Sequence, residues 1–145
     1  VSSEEPTGPD PRTVEAEKLM DAGKFDDAVA AYDALLASEP NDPVLIAGRN
    51  AAALLGRLDG KDPAALLAAA QQHPDDVDAQ LAAADVELMG GRSADAFNRI
   101  IQVVRITHDE EREAARTRLL DLFAMVGQSE PEVAAARRSL AAALF

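Results

Sequence analysis

The chain has 145 residues and a mass of 15.3 kDa, enough for one domain with a hydrophobic core but too little for a large second one. Its 26 acidic and 14 basic residues leave a net charge of −12, which opposes binding to nucleic acid or to an anionic membrane. With no cysteine, the chain has no disulfides, thiol redox chemistry, thiolate zinc sites or iron–sulfur clusters.

The longest apolar run, Ala64 to Ala70, falls far short of the roughly 20 residues a membrane-spanning helix needs. No signal-peptide pattern opens the sequence, so a cytoplasmic location is expected. Alanine fills 31 positions whereas Trp, Tyr and Phe together fill five, a bias toward helices packed closely through small side chains. The expected fold class is all-α.

In chain order, the opening residues 1–10 read as a linker, being rich in proline, serine and acids with no apolar periodicity, and residues 11–145 read as one helical domain. Asp10-Pro11, Asp42-Pro43, Asp62-Pro63 and Glu130-Pro131 each place an acid before a proline and a helix-forming run. The acid can cap free amide donors, and proline at the first helical position loses no hydrogen bond. Gly23, Gly56, Gly90-Gly91 and Gly127 follow apolar stretches, where glycine suits a helix C-cap. These signals predict eight helices, at 11–22, 25–38, 43–56, 63–73, 76–90, 93–107, 110–126 and 131–144.

Self-comparison adds a longer period. Gly23-Lys24-Phe25-Asp26-Asp27-Ala28 recurs loosely as Gly91-Arg92-Ser93-Ala94-Asp95-Ala96, 68 residues on, and Pro40 and Pro74 lie 34 apart. Helix, turn and helix in 34 residues is the tetratricopeptide period. Residues 9–42 carry its spacing best, with Ala16, Gly23, Ala28, Tyr32 and Pro40 in place; residues 77–110 follow with Ala84, Gly91, Ala96 and Ile100, but His108 replaces proline. Residues 43–76 keep Pro74 and displace the turn to Leu58–Asp62, and a helix pair surrounds Gly127. The expected architecture is a right-handed stack of about four degenerate hairpins, each supplying the wall that its neighbour lacks.

No constellation points to an enzyme. The acids Asp75, Asp76 and Asp78 after His73, and Asp109, Glu110 and Glu111 after His108, lack zinc or calcium spacing and read as helix-start acids; no metal or cofactor is expected. Gly60-Lys61 lacks the rest of a phosphate loop and reads as a turn. The charge is concentrated at the front, −8 over residues 1–42.

In a tetratricopeptide array the first helix of each pair lines a groove. Thr13, Glu17, Gly48, Asp78 and Ala82 occupy positions where a clamp for acidic tails would need cations, which disfavours that partner class. Met20, Leu54, Leu55, Leu81, Leu88 and Met89 form a candidate groove for apolar, weakly selective clients, or equally part of the core between layers. The last helix carries Val133, Ala136, Leu140 and Leu144 on one face beside Arg137 and Arg138, with Phe145 at the end: either a cap on the stack or a docking helix.

The stretch Thr117-Arg-Leu-Leu-Asp-Leu-Phe123, with Pro131-Glu-Val-Ala-Ala-Ala-Arg-Arg-Ser-Leu-Ala-Ala-Ala-Leu-Phe145, the first repeat and Ala82-Ala83-Ala84-Asp85, resembles the chaperedoxins, bacterial thioredoxin-like co-chaperones. The resemblance implies a thioredoxin-fold domain upstream of the linker, absent here with its Cys-x-x-Cys. It implies binding of unfolded or oxidatively damaged clients, transfer to chaperonin or Hsp70 machinery, and chaperonin contact through residues 131–145, including Val133, Arg137, Arg138, Leu140, Leu144 and Phe145. Two functions remain open: a client-binding, chaperone-docking module, and an adaptor for one defined partner.

Overall fold

The computed structural model describes residues 10–145. Among these there are eight α-helices and no strand: α1 (Val14–Asp21), α2 (Phe25–Ser38), α3 (Pro43–Leu58), α4 (Pro63–Gln72), α5 (Val77–Met89), α6 (Ser93–Ile106), α7 (Asp109–Val126) and α8 (Pro131–Leu144). The predicted linker lies, except for Asp10, outside the described residues. The chain forms two compact units, one ending at Gly56 and one running from Arg57 to Phe145.

Most boundaries follow the signals read from the sequence. Asp10, Asp42 and Asp62 accept backbone N–H bonds from Arg12, from Val44 and Leu45, and from Ala64. Glu130 departs from the expectation. Its backbone is extended and proline follows it, but its side chain makes no cap bond. The predicted first helix is also split, because Asp10 closes a single 3-10 turn over Pro11–Thr13 before α1 starts.

Gly23 and Gly91 end α1 and α5 in the same way, at φ +75° and +78°. Lys24 N–H donates to Leu19 O and Arg92 N–H to Glu87 O, while Gly23 and Gly91 donate to Met20 O and Leu88 O. Both are Schellman closures, so the repeated sequence is a repeated turn. Gly56 is a correction: α3 runs through it to Leu58, and the turn glycine is Gly60, at φ +72°. A Cβ on Gly56 would lie 3.2 Å from Phe25 Cβ, so glycine serves packing there. Where His108 replaces the closing proline, Thr107 Oγ1 donates to Val103 O and Arg112 Nε donates to Thr107 O.

In the first unit Ala16, Ala28, Tyr32, Leu45 and Ala52 form the core, with Leu19, Met20 and Leu35 packed against it. A Cβ on Gly48 would lie 2.5 Å from the Tyr32 ring, which is 3% exposed. Gly48→Ala gains helix propensity of about 1 kcal/mol but overpacks this contact by about 1–3 kcal/mol. The expected net result is a destabilisation of about 1 kcal/mol in urea unfolding, reversing to a gain in a Tyr32→Leu background, where the ring is gone. A stabilising Gly48→Ala beside Tyr32 overturns the packing argument.

Arg12 pairs with Asp10 (2.6 Å), with Asp42 (2.7 Å) and with Glu39. Hydrogen bonds from its guanidinium hold the Asp10 and Asp42 carboxyls below the usual carboxylate range. Groups with lowered folded pKa values stabilise above their unfolded pKa, and that contribution is lost as pH falls through the lowered values. The thermal midpoint is therefore expected to drop on acidification from about pH 4, and Arg12→Ala to flatten that drop.

The second unit is layered. α5 packs on α4 and α6, α6 on α7, α5 on α7 and α6 on α8, so consecutive and alternate helices touch, as in stacked hairpins. Phe97, Ile100, Ile101, Val104, Leu119, Leu122, Phe123 and Val133 are fully or almost fully buried, and Ala84 and Ala96 are wholly buried at the small contact positions.

Candidate protein-binding surface

α5 is the centre of the second unit, buried on both sides, and carries two charges into that burial. Asp85 and Glu87 lie two residues apart, about 200° around the helix, so they face opposite ways. Asp85, 1% exposed, accepts from Arg57 Nε (2.8 Å) and Nη2 (3.0 Å) and from Arg118 Nη1 (3.0 Å). Glu87 takes Arg99 Nε at 2.5 Å, with Arg92 Nη2 at 3.6 Å. Gln80 donates to Ala70 O and His73 O and accepts from Arg99 Nη1, tying α4, α5 and α6 together. Burial lowers the pKa of Arg118, opposed mainly by the Asp85 charge.

On the first-helix side, the starts of α5 and α7 enclose a cleft of about 500 Å³. Val77, Leu81 and Ala114 give it apolar walls; Asp75, Asp76, Asp78, Glu110 and Glu111 give it acidic ones. Asp76 is also a cap, accepting from Ala79 N–H at 3.1 Å. The three acids of α7 occupy its first turn, where the helix dipole favours them, while His108 makes no cap bond.

The predicted groove residues divide. Leu54 is wholly buried and belongs to the core, a correction to its expected groove role; Leu81, 6% exposed, is core on one side and lines the cleft on the other. Met20, Leu55 and Leu88 are half-buried, and Met89 is exposed. On α8, Val133, Ala136 and Leu140 are buried, and the helix packs against α6. Those two docking candidates, Val133 and Leu140, are therefore spent on packing. Leu144 is half-buried, whereas Arg137, Arg138 and Phe145 are exposed. Arg137 donates to Gln128 Oε1 and sits 5.5 Å over the Phe123 ring, closing the α7–α8 turn.

Arg57, Arg99, Arg118, Gln80 and Glu87 escaped the sequence reading. The available signal was a mostly apolar helical segment, Val77 to Met89, with acids on opposite faces: a helix buried on both sides has to find partners for its charges.

Layered helical hairpins closed by glycine turns, with first helices flanking an open cleft, define an α-helical repeat protein of the kind that binds other proteins. The chain belongs to the tetratricopeptide repeat family, whose model matches residues 56–145. That span begins beside the boundary of the second compact unit, leaving outside it the 9–42 hairpin that carries the repeat spacing best. Uncharacterized proteins of Mycobacterium bovis and of two Mycobacterium tuberculosis strains are 39% identical to this chain over 145 residues. The match takes in 100% of this chain but 47% of each relative, so the chain spans about half the length of the curated relatives it matches. No solved structure matches it.

Proposed function

We propose that this protein-interaction module is the non-catalytic client-binding part of a co-chaperone-like protein, acting in the cytoplasm, and that the α5–α7 cleft takes exposed segments of non-native proteins. The observation that carries the reading is the cleft itself, apolar at Val77, Leu81 and Ala114 and acidic around them. Such a surface suits segments that mix apolar and basic side chains, with charge complementarity speeding capture. Support for a parent of thioredoxin-like co-chaperone type comes from the chaperedoxin-like C-terminal stretch, and the uncharacterized relatives, about twice as long, speak only for a longer chain. Exposed Arg137, Arg138 and Phe145 are the side chains α8 offers to chaperonin or Hsp70 machinery.

The test is light scattering of several unrelated denatured proteins, basic and acidic, diluted into the chain. Suppressed aggregation is expected, strongest for basic clients, and the exposed substitutions Asp78→Lys with Glu111→Lys are expected to weaken it by about tenfold in the concentration required. Suppression unaffected by these reversals rejects the cleft. No suppression, with a single tight pull-down partner, replaces client binding by the adaptor function.

A further inference from the structure

In the first unit, away from the α5–α7 cleft, a buried phenol hydrogen-bonds to a sulfur. Tyr32 of α2 donates its hydroxyl to the Met20 thioether of α1 at 3.9 Å. A thioether is a weak acceptor, so this buried donor is poorly satisfied. The ring has little freedom to seek a better one. A Cβ on Gly48 would lie 2.5 Å from its edge and 2.8 Å from its oxygen, which shows how closely α3 presses on it. Burial, and then the charge of Glu17, push the Tyr32 pKa up, so the hydroxyl keeps its proton and stays a donor. The Glu17 carboxylate itself accepts from Thr13 Oγ1 at 2.9 Å.

Met20 is only half-buried, which leaves its side chain open to small solutes. Its thioether can take one oxygen from hydrogen peroxide: an S–O bond forms, the O–O bond breaks, sulfur is oxidised by two electrons and the peroxide leaves as water. A sulfoxide against a core is ordinarily disruptive, because its oxygen needs a donor that apolar neighbours lack. Here the donor is already in place. An oxygen added to the sulfur on its Tyr32 side comes within ordinary O–H···O reach of the hydroxyl and is a far stronger acceptor than the sulfur it replaces. The other two methionines differ. Met89 is exposed and Met125 half-buried, and among the described residues neither sulfur accepts a hydrogen bond.

We propose that Met20 is an oxidation site for peroxides whose sulfoxide is held by the Tyr32 hydroxyl, so that the first hairpin stays folded while a candidate groove residue turns from apolar to polar.

The experiment uses the whole chain with Met89→Leu and Met125→Leu, volume-conserving changes that leave Met20 as its one thioether. The chain is treated with hydrogen peroxide, and mass spectrometry of the peptides confirms a single added oxygen on Met20. Hydrogen exchange of the α1 and α2 amides is then compared before and after oxidation, with Tyr32 and with Tyr32→Phe, which removes only the hydroxyl. With Tyr32 the exchange is expected to stay the same or slow. In Tyr32→Phe it is expected to quicken, so that the ratio of oxidised to reduced rates differs by at least about fivefold between the two chains, as for one hydrogen bond. Tyr32 is the chain's one tyrosine, and its absorption is expected to shift to the red as its hydroxyl finds the stronger acceptor. The same ratio in both chains, or a Met20 that stays reduced in the unsubstituted chain while Met89 is fully oxidised, would overturn the proposal.

Discussion

Asp85→Ala is expected to destabilise the second unit by about 3–5 kcal/mol, a large fraction of the stability of a domain this size. The reason is asymmetry. The carboxylate is 1% exposed and neutralises Arg57 and Arg118, whose side chains are 31% and 22% exposed. Removing the acid strands two partly desolvated cations of like charge against an alanine, with only the weaker charge of Asp121 near Arg118 to offset the cost of their burial. Asp85→Asn keeps the volume and loses the charge, and belongs in the same range. Replacing all three groups by apolar residues of similar size is expected to restore most of the loss, because a buried ion cluster roughly breaks even against good packing.

Urea unfolding followed by far-UV circular dichroism measures the effect, and hydrogen exchange on α5 and α7 locates it. Tyr32 is the chain's one tyrosine and there is no tryptophan, so tyrosine fluorescence reports the first unit separately. A loss below about 1 kcal/mol for Asp85→Ala would mean that the arginines are solvated well enough to need no counterion.

Phe123→Ala carries the second large effect, about 3–5 kcal/mol, through the cavity left when a fully buried ring is removed. The Phe123 ring meets Phe97 edge-on, with centroids 4.9 Å apart and planes at 83°. That geometry joins α7 to α6, and the Arg137 guanidinium over the Phe123 ring brings in α8. A double-mutant cycle between Phe97 and Phe123 is expected to give a coupling of about 0.5–1.5 kcal/mol beyond area burial. Zero coupling would reduce the pair to two independent apolar fillers.

Comparing these two sites shows how legible each was. Phe123 sits in the Leu-Leu-x-Leu-Phe run of a periodic helix, and burial of such a residue follows from helical spacing alone. Asp85 offered only its oddity, an acid following three alanines. Its partners, Arg57 and Arg118, lie 28 and 33 residues away, on elements that meet α5 only once the layers have stacked. The same holds for Gly56: its place after an apolar stretch suggested a helix end, while its proximity to Phe25 is invisible without the fold.

What the sequence by itself determined is therefore local: eight helices, their aspartate and glycine ends, the repeated Gly23 and Gly91 turns, and the alanines that let helix axes approach. These depend on capping, φ preference and 3.6-residue periodicity, which act within a few neighbouring residues. The tertiary structure decided which apolar residues are core and which line a cleft, taking Leu54 and Val133 inside and leaving Met89 and Phe145 out. It also chose the partners of the buried charges. Those are matters of side chains distant in the chain competing for the same space and the same counterions, and only the packed layers settle that competition.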